Sequence, residues 1–391
     1  MAFRVTLGDK MANLLIIGKR GRCYRAALKQ GHSVFLWSDG ELHESRKKKL
    51  DGWIEIPFDQ CASEIPESVF STIAAFKIDY VIAATESSVD IAAKIRARFD
   101  LSGTPFAVTN ILHNKNDMKI AAKKFDIPIT NFHLIEKSDS AEDLIEKLGL
   151  PLVIKPVAES GARGVKVLKT VEEIRSNMAA GLLAETIVEG PEISVETFIH
   201  NGVPVFHNIT DYLHQWKKSI LPAELPKGLT EQIIAINDQV IKCFEVQNGM
   251  THSEFYLTKN GPIFGEMAVR PPGGYYMDLI ELAYGFNPWE IYVQLESGGS
   301  IPVLPSIAEK QAAVIIIHPE QGVVESISGL EAVREMSEIE RFKFTIEADS
   351  VVSERISTSS ECGHILMSGG SRQLLIDRLA FIENNLVIKM K

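Results

Sequence analysis

Cysteine is scarce in this chain: four residues in 391, at Cys23, Cys61, Cys243 and Cys362, with no Cys-x-x-Cys pair. That suits reduced, buried thiols in a cytosolic protein better than a disulfide framework or a zinc site. Long apolar runs are absent. The stretch Asn13–Gly18 is too short for a signal-peptide core, so no membrane role is expected. A basic surplus is absent too: a formal net charge of -10 argues against a broad nucleic-acid footprint, which would need a basic face. No internal repeat and no low-complexity linker stands out. Residues 1–10 read as a leader, an alternative start or a tag, and are left out of the expected fold.

What is present is an ordinary globular composition, 45% hydrophobic and 24% charged, in a chain too long for one core. Two or three domains are expected. The first third alternates strand and helix, the pattern of a parallel sheet. Leu14–Ile17 and Ser33–Trp37 read as strands around a helix from Cys23 to Gln30. Ile78–Ala83 repeats the pattern before a helix from Val89 to Phe99. The turn Gly18-Lys-Arg-Gly-Arg22 opens the first helix and could hold an anion at its N-terminus. It lacks the full Gly-x-Gly-x-x-Gly spacing, and the bland reading is a structural turn.

The most informative stretch is Glu254–Arg270. It reads as two short strands joined by a Lys-Asn-Gly-Pro turn, with an acid on each strand. The hairpin brings Glu254 and Glu266 together, which is costly unless a cation sits between them. Hard divalent ions take oxygen ligands, commonly one or two carboxylates plus substrate phosphates. The alternative is a surface hairpin with two solvated acids.

Three upstream segments bear on that choice. Leu112–Lys119 precedes an Ala/Lys helix ending near Phe125. Leu152–Pro156 is a short strand carrying Lys155, and a lysine in a buried strand is expensive unless it meets an anion. The glycine-rich turn Glu159–Val167 follows it, where backbone N–H groups can wrap a phosphate. It is not a Walker loop, because no Gly-Lys-Ser/Thr opens a helix there. Finally, Leu182–Phe198 reads as strand, Glu-Gly-Pro-Glu turn and strand, with Glu185 among apolar neighbours. Each segment alone also suits an ordinary hairpin.

Taken in order, Lys115, Lys155 with its glycine loop, Glu185 to Glu192, and the Glu254/Glu266 pair closely resemble the ATP-grasp superfamily. The resemblance covers most of the chain from about Leu14. It implies an α/β fold: an N-terminal Rossmann-like parallel-sheet domain (1–110), a central ATP-grasp domain (111–300, with a glycine-loop lid at about 120–190) and a C-terminal α+β lobe (301–391). It implies that Lys115 and Lys155 contact ATP phosphates, with Ser160, Gly161 and Gly164 as the covering flap. Glu185, Thr186 and Val188 would form the hinge against adenine, Val188 through its backbone, and Glu192 would hold the ribose. Glu254 and Glu266 would ligate Mg²⁺ or Mn²⁺. Many members carry Asn two residues after the second metal acid. Here that position is Ala268, which shifts coordination to water or phosphate rather than excluding metal.

The implied chemistry is a ligase reaction. Oxide is a hopeless leaving group, so a carboxylate must become an acyl phosphate before an amine can attack, and the protein mainly positions partners and neutralises charge. Arg270 falls where it could hold the acyl phosphate, and its bland reading is a structural salt bridge. His252 shares a strand face with Glu254 and could line the substrate pocket. Gly-x-x-His-x-Glu at Gly249–Glu254, and Thr210–Tyr212 with Leu221–Pro226, resemble the branch that joins two L-amino acids. Pro271–Gly274 could form a backbone-lined pocket walled by Tyr275 and Tyr276. The expected function is therefore a cytoplasmic ATP-dependent ligase for small-molecule carboxylate and amine substrates, and a homodimer is compatible with it. The alternative is a purine-biosynthesis enzyme using bicarbonate or formate with a ribonucleotide, suggested by Glu-x-Ala-x-Arg-Pro. A third reading is a nucleotide-binding regulatory module that has lost catalysis; retention of both lysines and both acids argues against it. No biotin-attachment segment is legible.

Overall fold

Leu14, Leu15, Ile16 and Ile17 are all fully buried because their strand is covered on both faces. In the computed structural model, which describes residues 11–61, 63–159, 163–215, 217–355 and 360–391, Leu14 and Ile16 pack into one core cluster and Leu15 and Ile17 into another. The expectation for residues 1–10 lies outside the described residues. A near-continuous apolar run is what a parallel strand between two layers requires. The strand β1 (Asn13–Ile17) lies between β2 (Ser33–Ser38) and β4 (Tyr80–Ala83), with β3 (Gly52–Glu55) beyond β2, all parallel. The helix Val89–Phe99 begins and ends where the sequence predicts.

A second, small sheet follows. It joins β5 (Phe132–Leu134), β6 (Leu152–Pro156), β7 (Lys166–Leu168) and β8 (Leu182–Thr186) in the order β5-β8-β6-β7, all antiparallel. Its two helices, Ala141–Leu148 and Val171–Asn177, both start with reciprocal capping boxes, Ser140 with Asp143 and Thr170 with Glu173. Each box satisfies two backbone N–H groups that a short helix would otherwise leave bare. One apolar cluster, including Leu144, Leu152, Ile154 and Ile174, fills the space between this sheet and its helices.

The large sheet has eight strands. It includes β9 (Glu192–His200), β10 (Val203–His214), β11 (Lys218–Leu221), β12 (Gly249–Thr258) and β13 (Gly261–Ala268). The later strands are β14 (Gln311–Ile317), β15 (Gly322–Ser328), β16 (Ile339–Phe344), β17 (Val351–Val352), β18 (Gly363–Gly369) and β19 (Val387–Met390). The order is β13-β12-β9-β10-β11-β14-β18-β16, so the sheet runs unbroken across position 300. Strands β17, β15 and β19 form a separate three-stranded sheet. The C-terminal helix spans Arg372–Asn385.

The parts are docked by apolar contacts. One cluster contains Leu14 and Ile16 of β1, Trp289, Tyr292 and Val293 of the helix Pro288–Glu296, and Val314 and Ile316 of β14. Tyr292 also donates from its hydroxyl to the Ala83 carbonyl at 2.6 Å. No helix among the described residues is long and apolar enough to cross a membrane.

Candidate active site

The hairpin β12–β13 sets Glu254 directly opposite Glu266 in the ladder, next to a bulge between Glu254 and Phe255. Its turn is tightened by Gly261 at φ +114 and by the Thr258 hydroxyl, which donates to the Gly261 carbonyl at 2.8 Å. The neighbouring strand adds a third acid, since Tyr256 of β12 stands opposite Glu192 of β9. Burial first, then repulsion from Glu254 and Glu266, pushes Glu192 up to about 8. Three carboxylates crowding one place is the condition a bound cation relieves. Among the described residues no group of three or more His, Cys, Asp or Glu holds metal-ligating geometry by itself. The Glu254/Glu266 pair fits instead an ion that shares its ligands with nucleotide phosphates.

Lys115 opens the helix Lys115–Lys124, whose N-cap Asn114 accepts from the Asn116 and Asp117 amides. Its Nζ lies 3.2 Å from Glu266 and donates to the Glu159 carbonyl at 2.6 Å. It thus links the metal-site candidate to the start of the glycine loop. Lys155 on β6 meets Glu185 on β8 at 2.8 Å, because β6 and β8 pair with Val153 opposite Glu185. Glu185 also faces Lys119, at 3.5 Å, and accepts from Thr130 at 3.2 Å. Burial opposes its charge, but the two lysines outweigh burial and hold the carboxyl below the usual range. So the Glu185 side chain is spent on two lysines, which bears on the adenine role expected for it. Thr186 donates from its hydroxyl to the Leu148 carbonyl at 3.1 Å, and Val188 is half-buried beyond the strand. In the glycine loop, Gly164 has φ +72, which favours glycine, while Ser160 and Gly161 lie outside the described residues. Gly190 has φ +150, and a Cβ there would overlap the Leu257 carbonyl oxygen, so the turn before β9 passes hard against β12.

His252 stands opposite Glu196 across the β12–β9 ladder. Its Nδ1 is 3.0 Å from Glu196, and its Nε2 is 3.6 Å from Glu254. Burial works against the imidazolium, yet bonds to Glu196 and Glu254 prevail and push His252 up to about 9. Glu196 is fully buried and accepts from Ser194, Asn208 and Thr210 as well. Tyr212 donates to Glu254 at 3.2 Å. Arg270 is paired with Glu86, from the short helix after β4, and donates to the Pro271 carbonyl at 3.0 Å. Burial opposes the guanidinium charge there, and Glu86 more than restores it. The structure therefore places Arg270 both in an ion pair and in the wall of the cleft.

A cleft of about 270 Å³ brings Lys115, His252, Glu254, Glu266 and Arg270 together, with Glu86 and Tyr276 in its wall. Lys155, Glu185 and Glu192 lie outside that wall. A second cavity, about 320 Å³, adjoins it through Arg20, Gly273 and Gly274 and carries Tyr275, Asp278, Arg341 and Glu361. The Pro-Pro-Gly-Gly turn is thus a partition, with one tyrosine on each side. Sequence reasoning missed Lys119, Glu196 and Glu86. Lys119 lies four residues after Lys115, hence on the same helix face, and that spacing could have revealed it.

A family description, "ATP-grasp domain", matches residues 120–279. The chain thus carries a domain of the ATP-grasp superfamily. It is a carboxylate–amine ligase of that superfamily, forming C–N bonds through an acyl phosphate. A second description, "L-amino acid ligase C-terminal domain 2", matches residues 314–391. The L-arginine-specific L-amino acid ligase of Bacillus subtilis is 22% identical over 307 residues, 73% of this chain and 74% of that one. A formate-dependent phosphoribosylglycinamide formyltransferase of Flavobacterium psychrophilum is 27% identical over 245 residues, 56% of this chain and 60% of that one. Among solved structures, the L-amino acid ligase of Bacillus licheniformis superposes with TM-score 0.83 at 21% identity, covering 98% of this chain and 100% of that one. A phosphoribosylglycinamide synthetase and several carboxyaminoimidazole ribonucleotide synthetases superpose with TM-scores from 0.73 to 0.77.

Proposed function

We propose that this ATP-grasp ligase activates the carboxylate of one amino acid as an acyl phosphate and joins it to the amino group of a second. The observation that carries the reading is the C-terminal match over residues 314–391, because that lobe supplies Arg341 and Glu361 to the wall of the second cavity. There both Arg22 and Arg341 are paired with Asp278, and Lys343 with Glu361. A ribonucleotide phosphate, carrying close to two negative charges, would meet the Asp278 and Glu361 carboxylates there and find Arg22 and Arg341 already engaged, with Arg20 alone left to receive it.

In this reading Lys115 and Lys155 hold ATP phosphates, and Glu185 fixes Lys155 rather than reaching adenine. Ser160, Gly161 and Gly164 cover the phosphates, Thr186 and Val188 border the adenine, and Glu192 meets the ribose. Glu254 and Glu266 hold Mg²⁺, which neutralises phosphate charge when bound. Arg270, fixed by Glu86, stabilises the charge that develops on the acyl group, a task usually worth a few kcal/mol in the barrier. His252, fixed by Glu196, lines the substrate side.

The second reading is a purine-pathway enzyme using bicarbonate or formate with a ribonucleotide. By number, the similar proteins favour it over the amino-acid reading. ADP release measured over a matrix of amino-acid pairs, against bicarbonate or formate with aminoimidazole or glycinamide ribonucleotide, separates the two. Turnover that needs two amino acids and yields an amide-linked product supports the first. Turnover that needs a ribonucleotide replaces it with the second.

A further inference from the structure

The turn between β1 and the helix Gly21–Lys29 ends on Arg20, which takes no part in the machinery above. Arg20 sits at the N-cap of that helix and makes no side-chain capping bond. Its Nε is buried and has no partner. Of the lysines and arginines that line either cavity, it is the one with neither an acid nor a carbonyl partner among the described residues. Lys115 has Glu266, Lys217 has Glu383, Arg270 has Glu86, Arg22 and Arg341 share Asp278, and Lys19 donates to the Glu41 carbonyl. Burial first, and then repulsion from Arg270, pulls the Arg20 guanidinium below its ordinary range. Asp278 lies near enough to act on the charge but does not pair with it, so a half-buried guanidinium with an unsatisfied Nε is left open to an anion that completes it.

The reaction supplies that anion. A carboxylate–amine ligase consumes one carboxylate as acyl phosphate, in the region of Arg270 and the Glu254/Glu266 pair. An amine substrate that is itself an amino acid keeps its own carboxylate, which needs a separate cation. Arg20 lines the same cleft as Arg270 and also the adjoining cavity beyond Gly273 and Gly274. We infer that Arg20 is the anion subsite of the amine-bearing substrate, holding the group that stays unreacted while the amine is presented to the acyl phosphate. Its assignment to an α-carboxylate rests on the amino-acid reading; the same guanidinium could instead take the phosphate of a ribonucleotide.

The test uses the full chain with MgADP. Binding of each of the twenty L-amino acids, of the amide of any that binds, and of ribose 5-phosphate is measured by calorimetry for the wild type, Arg20→Gln and Arg20→Lys. A binding amino acid is expected to exceed its amide by about 30-fold in affinity, the range of a charge-assisted bond. Arg20→Gln should erase that difference and leave the amide's affinity unchanged, and Arg20→Lys should keep part of it. The ligand-free Arg20→Gln chain should melt at or above the wild-type temperature, because it loses a partly buried charge that no acid pairs with directly. If ribose 5-phosphate is the probe that Arg20→Gln releases, and no amino acid is distinguished from its amide, the subsite stands and the amino-acid reading falls. If Arg20→Gln binds every probe as the wild type does, if amino acid and amide weaken alike, or if the wild type binds no anionic probe, the subsite is wrong.

Discussion

Glu254 and Glu266 face each other across the β12–β13 ladder, and Lys115 reaches only Glu266, at 3.2 Å. Glu254 is held instead by Tyr212 and His252. The two acids are therefore not equivalent: one is tied to the phosphate-binding side, the other to the substrate side.

Glu266→Gln preserves size and removes the charge facing Lys115. Turnover should fall about 100-fold, the usual scale for losing one charge-stabilising group, with the melting temperature nearly unchanged because Glu266 is part exposed. Near-normal ADP release at ordinary magnesium would remove the metal assignment.

Glu185 and its two lysines should behave asymmetrically. Lys119 is 2% exposed, so Glu185→Gln leaves a deeply buried cation without its acid and should cost about 3 kcal/mol of stability. Lys155→Ala leaves Glu185 with Lys119 and Thr130, and should weaken ATP binding much more than it lowers stability. Urea unfolding with and without ATP measures both. Equal destabilisation by the two variants would mean that Lys155, not Lys119, is the main partner.

Arg270→Ala should lower product formation about 100-fold while ATP affinity stays within about threefold, since the arginine acts after nucleotide binding. Glu86→Gln should show a smaller loss of the same kind, because the guanidinium remains but is no longer fixed. An ATP affinity that falls in step with turnover would place Arg270 in nucleotide binding instead.

Gly190→Ala tests the backbone approach beside the hinge. With φ at +150 and the Leu257 carbonyl in the way, alanine should cost about 2 kcal/mol or more and displace the turn before β9. A chain that melts normally and binds ATP normally would show that β9 and β12 can part there without penalty.

Much of this architecture was legible in the residues. The Leu-Leu-Ile-Ile run of β1 and the Lys-Asn-Gly-Pro turn each report a local requirement, and local requirements survive in sequence. The Glu254/Glu266 pair was legible because a short turn fixes its register. Glu196 was not, since an acid in a strand announces nothing until the strands beside it are known, and its partners come from β9, β10 and β12. Glu86 was hidden for the same reason: its partner lies 184 residues further on. For Glu185, burial was foreseen and the partner was not. Two lysines on separate segments converge on it, and no spacing along the chain reveals that.

The eight-stranded sheet has a consequence for how this enzyme could be taken apart. Strand β14 pairs with the four-residue β11 on one side and with β18 on the other. Cutting the chain near position 300 and discarding the C-terminal piece would leave β11 as a raw edge and uncover Ile220, now fully buried. Exposed edges of that kind recruit other chains. The lobe that walls the second cavity is therefore no interchangeable cassette: a chimera carrying a foreign C-terminal lobe must inherit a matching β14, or it will aggregate before its specificity can be read.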